Sequence, residues 1–225
     1  MKTRKFSVMM ILLITAGLLA PLGVVNAQTD GSTTALQLTA NGAVTPAMAD
    51  YLERGLKTAA ERQTALVILV LNTPGGSIET MNRMVEMIRA SSIPVIVYVS
   101  PDGAIAGSAG TVITLAGHLS GMAPETAIGA ASPVDFQGGD IEQTMSGKIK
   151  EILKATSRSL TERRGLEAVQ LVNEAIDDAR AVSASEALQA GLIDFIARDT
   201  TDLLRQADGK EILVLGKVRV LDTRF

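Results

Sequence analysis

The sequence predicts an α/β protein with a mostly parallel central sheet flanked by helices, and three observations carry that prediction. Two runs, Ala65–Leu71 and Pro94–Val99, are apolar almost throughout, as strands buried on both faces of a parallel sheet must be. The segments around them carry apolar residues at spacings of three and four, the period of helices that cover such a sheet. Each apolar run also ends in a small-residue turn that leads into a helical pattern: Asn72-Thr73-Pro74-Gly75-Gly76-Ser77 after the first, and Pro101-Asp102-Gly103-Ala104-Ile105-Ala106-Gly107-Ser108-Ala109-Gly110 after the second. In an open α/β sheet such turns lie side by side at the carboxyl ends of the strands, where ligands bind.

Taken in order, Lys2, Arg4 and Lys5 precede an apolar run from Val8 to about Val25, and Val25-Asn26-Ala27 sets small residues where signal peptidase reads them. Residues 1–27 are therefore expected to be a cleaved signal peptide. An uncleaved anchor is the other reading of a stretch near spanning length. Both place the folded part outside the cytoplasm, in the periplasm or at the cell exterior. Residues 28–34 read as a flexible leader and 35–225 as one folded domain.

Ala35–Thr39 alternates and reads as a first strand. Thr45-Pro46 opens a helix with Met48, Tyr51, Leu52, Leu56 and Ala59 on one face, ending near Arg62. Ser77 caps a second helix, whose Met81, Met84 and Met87 share the helical period and read as packing. Ala106 to Leu119 is small and apolar and predicts a buried helix, followed by a short strand and turn over Met122 to Ala130. Gln137-Gly138-Gly139-Asp140 reads as a loop. Thr144 to about Arg164 reads as a long helix with Ile149, Ile152, Leu153, Thr156 and Leu160 inward, and Leu166–Ala179 as another. Ser183 and Glu186 form a capping box, with Gly191 as the stop. A strand over Leu192–Ile196, a helix over Asp199–Ala207 and a hairpin through Leu213–Leu215 and Val218–Val220 complete the chain.

Composition narrows the chemistry. A net charge of -3 and no basic stripe give no case for nucleic acid. With no cysteine there is no disulfide, thiol nucleophile or thiolate metal site, and one histidine makes no His-cluster metal site. No cofactor and no metal are expected. Aromatics at 3% leave the core to aliphatic and small residues.

The candidate nucleophile is Ser108, flanked by Gly107, Ala109 and Gly110 at the start of a buried helix, whose amides favour developing negative charge. The plain alternative is an N-cap serine. Ser132 competes, though Pro133 suggests a turn role. The bare glycine amides at Gly75 and Gly76 would form an oxyanion hole facing Ser108. His118 lies ten residues past Ser108 on the predicted helix, about 15 Å along its axis, too far to act as base. A serine–lysine pair becomes the live option. Lys148, Lys150 and Lys154 lie on the long helix. The predicted apolar arc has Lys148 at its border, Lys150 slightly farther round and Lys154 pointing away, so the period excludes Lys154 and leaves the other two open. All three as a solvated cationic face is the bland alternative.

Thr73-Pro74-Gly75-Gly76-Ser77, Ala104-Ile105-Ala106-Gly107-Ser108-Ala109-Gly110-Thr111 and Met122-Ala123-Pro124-Glu125-Thr126-Ala127-Ile128-Gly129-Ala130 together resemble the protease domain of the NfeD family. The similarity continues through Glu186-Ala187-Leu188 and Gly191-Leu192-Ile193-Asp194 to Asp208-Gly209-Lys210. The resemblance implies a ClpP/crotonase-like fold of repeated ββα units and a serine endopeptidase with a Ser-Lys dyad. It implies Ser108 as nucleophile, Lys148 as general base, and Gly75, Gly76 and Ala109 at the oxyanion, Gly76 favoured as donor. It further implies apolar segments of membrane proteins, stomatin-like among them, as substrate, a homodimer, and membrane association through regions that follow this domain in the family.

Two other readings use the same fold. Acyl-CoA chemistry would employ paired amides on a thioester enolate, but an exported location removes the intracellular cofactor. A non-catalytic scaffold binding a membrane protein would leave the serine, lysine and glycines without a role.

Overall fold

The computed structural model describes residues 34–133 and 143–224. The expected signal peptide, almost all of the leader and the loop at Gln137–Asp140 lie outside the described residues.

The apolar runs form the centre of a five-stranded sheet. Strands β1 (Ala35–Asn41), β2 (Leu66–Asn72), β3 (Val95–Val99), β5 (Leu119–Met122) and β8 (Phe195–Ile196) are ordered β1-β2-β3-β5-β8, with every pair parallel. Alternate side chains along β2 and β3 feed two cores. Val67, Leu69, Leu71, Val95, Val97 and Val99 face one layer of helices. Leu66, Ile68, Ile96 and Tyr98 face the other side. Burial on both faces explains why these strands show no polar alternation in sequence.

The first helical layer comprises α1 (Pro46–Glu61), α2 (Ile78–Ala90), α3 (Ala109–Ala116) and α5 (Leu166–Asp177). On the opposite face lie α7 (Thr200–Ala207) and the hairpin of β9 (Glu211–Val214) and β10 (Lys217–Val220). A second, three-stranded sheet is ordered β4 (Ile105–Gly107), β6 (Ala127–Gly129), β7 (Ala181–Ser183). With α4 (Gln143–Thr161), the order β3-β4-α3 then β5-β6-α4 gives the expected ββα repeat.

Local signals hold where they are chemical. Ser77 accepts from the amide of Thr80, and the Ser183–Glu186 capping box precedes α6 (Ala184–Gln189). Gly191 takes φ +72 just past its end. Thr45 stands at the predicted N-cap of α1 without a side-chain bond, with Pro46 first in the helix.

Three expectations need correction. The predicted helix over Ala106–Leu119 spans only Ala109–Ala116: Ile105–Gly107 pairs as β4, and Leu119 begins β5. The strand expected over Leu192–Ile196 is reduced to Phe195–Ile196, because Leu192 and Ile193 are buried by the turn after α6.

The third concerns α4. Its buried side carries Leu153, Ser157 and Thr161, while Ile152 is 64% exposed. The helix is turned about a quarter revolution from the predicted face, at 100° per residue. Lys150 and Lys154 therefore lie on the packed side, with the Lys154 side chain 17% exposed, and Lys148 faces solvent. Beyond α4, Arg164 donates to Asp194 and Ser120, fixing the end of the helical segment to β5.

Candidate active site

The two turns at the carboxyl ends of β2 and β3 are joined as a continuation of the sheet. The Thr73 amide donates to the Ile105 carbonyl at 2.8 Å, and the Gly107 amide donates to the Thr73 carbonyl at 2.9 Å. Asn72 Oδ1 accepts from the Ile105 amide. Thr73-Pro74-Gly75 therefore runs alongside β4 and delivers Gly75 against Ser108.

Ser108 stands between β4 and α3 with φ +52 and ψ -117. A non-glycine residue there is strained by about 1–3 kcal/mol and persists only where its surroundings impose it. Its amide donates to the Gly129 carbonyl at 2.9 Å. Thr111 Oγ1, one turn on, donates to the carbonyls of Ala106 and Gly129. The Ser108 hydroxyl makes no N-cap bond, so the N-cap alternative fails. Half-buried, it opens on a cleft lined by Ile78, Met81, Val112, Ala131, Leu153 and Ile176. Among the described residues that lining is aliphatic and carries no charged side chain.

The two glycines differ in role. Gly75 is buried at φ +118, and its amide donates to Thr73 Oγ1 at 3.1 Å. Its contribution is absence of bulk. Gly76 is exposed, pressed on Val44 so closely that a Cβ would sit 2.4 Å from the Val44 carbonyl oxygen. Among the described residues its N–H has no acceptor, nor does that of Ala109, the first residue of α3. One free donor thus adjoins Ser108 in the chain and the other adjoins Gly75, which touches it.

Ser132 is excluded as a competitor because its hydroxyl donates to the Ile176 carbonyl at 2.7 Å. His118 lies past the far end of α3, where its Nδ1 accepts from the Val95 amide at 3.0 Å. Burial and the nearby Arg89 push its pKa down to about 4. That imidazole is neutral and structural.

Of the lysines, Lys150 Nζ donates to the Asp177 carbonyl at 2.8 Å, and Lys154 Nζ is paired with Glu151 and Asp177. Lys148 has neither hydrogen bond nor ion pair among the described residues. It is exposed and does not line the cleft at Ser108. The structure thus brings Gly75, Gly76, Ser108 and Ala109 together and leaves Lys148 in solvent. Sequence reasoning missed Thr73, whose backbone joins the two turns while its hydroxyl braces Gly75, and Thr111, whose hydroxyl ties the Ser108 turn to Gly129. Thr73 stands inside the first small-residue turn and Thr111 directly after the second, which was the signal.

The parallel sheet with its flanking helices has the ClpP-like fold. ClpP1 from Listeria monocytogenes superposes with a TM-score of 0.61 at 19% identity, covering 74% of this chain and 94% of that one. The chain belongs to the NfeD1b family, whose N-terminal domain matches residues 37–214. The membrane-bound protease PH1510 of Pyrococcus horikoshii is 36% identical over 186 residues, 82% of this chain and 42% of that protein. The chain therefore spans less than half the length of this relative.

Two solved structures of the 1510-N membrane-bound stomatin-specific protease are also similar. A lysine-to-alanine mutant in complex with a substrate peptide has a TM-score of 0.78 at 31% identity, covering 86% of this chain and 89% of that one. A serine-to-alanine mutant has a TM-score of 0.74 at 34% identity, covering 84% and 91%. Among the described residues no helix is long and apolar enough to cross a membrane.

Proposed function

We propose that this chain is a serine endopeptidase domain working through Ser108 and Lys148. The observation that carries the reading is Ser108 itself, held at φ +52 with its hydroxyl facing an aliphatic cleft. The free amides of Gly76 and Ala109 support an oxyanion hole, and Gly75 supplies the room for it. Neutral Lys148 takes the hydroxyl proton as Ser108 Oγ bonds to the scissile carbonyl carbon. The two amides hold the oxyanion, the C–N bond breaks, and the lysine ammonium returns the proton to the leaving amine. Water then repeats the sequence on the ester and frees Ser108.

Lys148 is favoured over its neighbours because Lys150 and Lys154 are already committed to Asp177 and Glu151. The mutated serine and lysine of the 1510-N protease lie about forty positions apart, a spacing that Lys148 and Lys150 fit equally. A lysine acts as base only when desolvated. Lys148 shares the outer face of α4 with Met145 and Ile152, which are 52% and 64% exposed. A substrate segment, or the second copy in a homodimer, covering that apolar face removes water from the amine. The substrate is an extended apolar segment of a membrane protein, and the relatives' specificity makes a stomatin-like protein the first choice.

The exposure of Lys148 favours one other reading, a ClpP-like scaffold that binds such a protein without cutting it. The deciding experiment is fluorophosphonate labelling and hydrolysis of an apolar peptide library by the wild type, Ser108→Ala, Lys148→Ala and Lys150→Ala. Loss of cleavage in the first two variants, both still folded, supports the dyad. Loss in Lys150→Ala but not in Lys148→Ala moves the base by two residues. Undiminished cleavage by Ser108→Ala leaves the scaffold.

A further inference from the structure

The last turn of α5 collects bonds from both sides of the site. The Ala175 carbonyl accepts the Ala131 amide at 2.8 Å, the Ile176 carbonyl accepts the Ser132 hydroxyl at 2.7 Å, and the Asp177 carbonyl accepts Lys150 Nζ at 2.8 Å. The Asp177 carboxylate also pairs with Lys154 Nζ at 3.2 Å. The final carbonyls of a helix lack intrahelical donors and carry its partial negative charge. Here three successive ones are satisfied, two by the segment that follows β6 and the third by Lys150 of α4.

The first of these attachments leads to the nucleophile. Ala131 follows Gly129 by two residues, and the Gly129 carbonyl accepts the Ser108 amide. The third leads to the base, since Lys150 follows Lys148 by two residues on α4. One helix end thus grips the strand behind Ser108 and the helix that bears Lys148.

We infer that the C-terminal turn of α5 is a positioning element for the Ser108–Lys148 site, with Asp177 and Lys150 as its positioning residues. The inference rests on the dyad reading above. Asp177 is a poor choice for stability, because a carboxylate at a helix C-terminus opposes the dipole. Among the described residues only Lys154 of α4 gives the carboxylate a favourable partner, while Lys150 takes the backbone carbonyl. A single ion pair of this kind, with Asp177 still 43% exposed, contributes little to folding. Catalysis is more sensitive: displacing a reacting group by 1 Å costs on the order of 100-fold. The mark of a positioning residue here is a loss of turnover without a loss of stability.

The experiment compares Asp177→Asn, Lys150→Met and Lys150→Arg with wild type in the full chain. It measures kcat and KM on an apolar peptide, melting temperature, and amide hydrogen exchange over residues 143–154. Asp177→Asn and Lys150→Met are expected to lower kcat by roughly 10- to 100-fold at little-changed KM and melting temperature. Exchange in 143–154 should quicken in both, and Lys150→Arg, which keeps a donor, should recover most of the loss. Unchanged exchange overturns the inference, as does faster exchange with kcat unaltered. If the wild type cleaves nothing, the protease reading falls, and the exchange measurement alone decides whether α5 holds α4.

Discussion

Gly75 and Ser108 are in contact so close that a side chain on the glycine has no place: a Cβ there would lie 2.6 Å from Ser108 Cβ and 3.1 Å from Ser108 Oγ. Two turns some thirty residues apart in sequence meet at this point. The glycine is required twice, for the approach and for its φ of +118.

Gly75→Ala should therefore separate space from backbone conformation when set beside Gly42→Ala. Gly42 has a similar φ of +104, but nothing lies within 4 Å of an added Cβ. Both variants carry a backbone cost of about 1–2 kcal/mol. Only Gly75→Ala should also abolish fluorophosphonate labelling of Ser108, as read on gels of folded protein. Equal labelling in the two variants would show that the contact at Ser108 yields freely.

His118 makes stability depend on pH in a defined window. Its folded pKa of about 4 lies below the ordinary value of 6.5, so the unfolded chain binds the proton first. The stabilisation is complete above pH 6.5 and declines as pH falls toward 4. From the size of the shift the decline is at most about 3 kcal/mol. Chemical denaturation between pH 7 and 4 should show it, and His118→Asn, which keeps an acceptor for the Val95 amide, should flatten the profile. A profile unchanged by that substitution would assign the acid sensitivity to carboxylates.

Ser157 is fully buried on α4, and its Oγ has no hydrogen-bond partner among the described residues. An unsatisfied buried hydroxyl costs about 1–3 kcal/mol. Alanine is also the better helix former by about 0.5 kcal/mol. Ser157→Ala should raise the denaturation midpoint, an effect of about 1 kcal/mol or more. A lowered midpoint would mean that the hydroxyl has a partner in solution.

Much of the site could be read from residue types. Small residues around Ser108 and the Gly75-Gly76 pair announce a close approach, since only small residues permit it. His118 could be set aside by helix geometry. The orientation of α4 could not be read, because a hydropathy period ranks side chains by their own polarity. On α4 the packed face includes Ser157, Thr161 and the stems of Lys150 and Lys154, while Ile152 and Met145 stand outside. Nothing local signals that Asp177, on another helix, will meet two of those lysines.

The sequence by itself determined the parallel sheet, because strands buried on both faces must be apolar throughout, and it determined the turns, because glycine and capping residues act locally. Only the tertiary structure decided that Gly75 touches Ser108, that the Thr73 backbone joins the two turns, and that α4 presents Lys148 to solvent. Those facts depend on which surfaces meet across the chain. A helix buries whichever face its neighbours can pair with, even a face carrying lysines, when a helix terminus supplies the opposite charge.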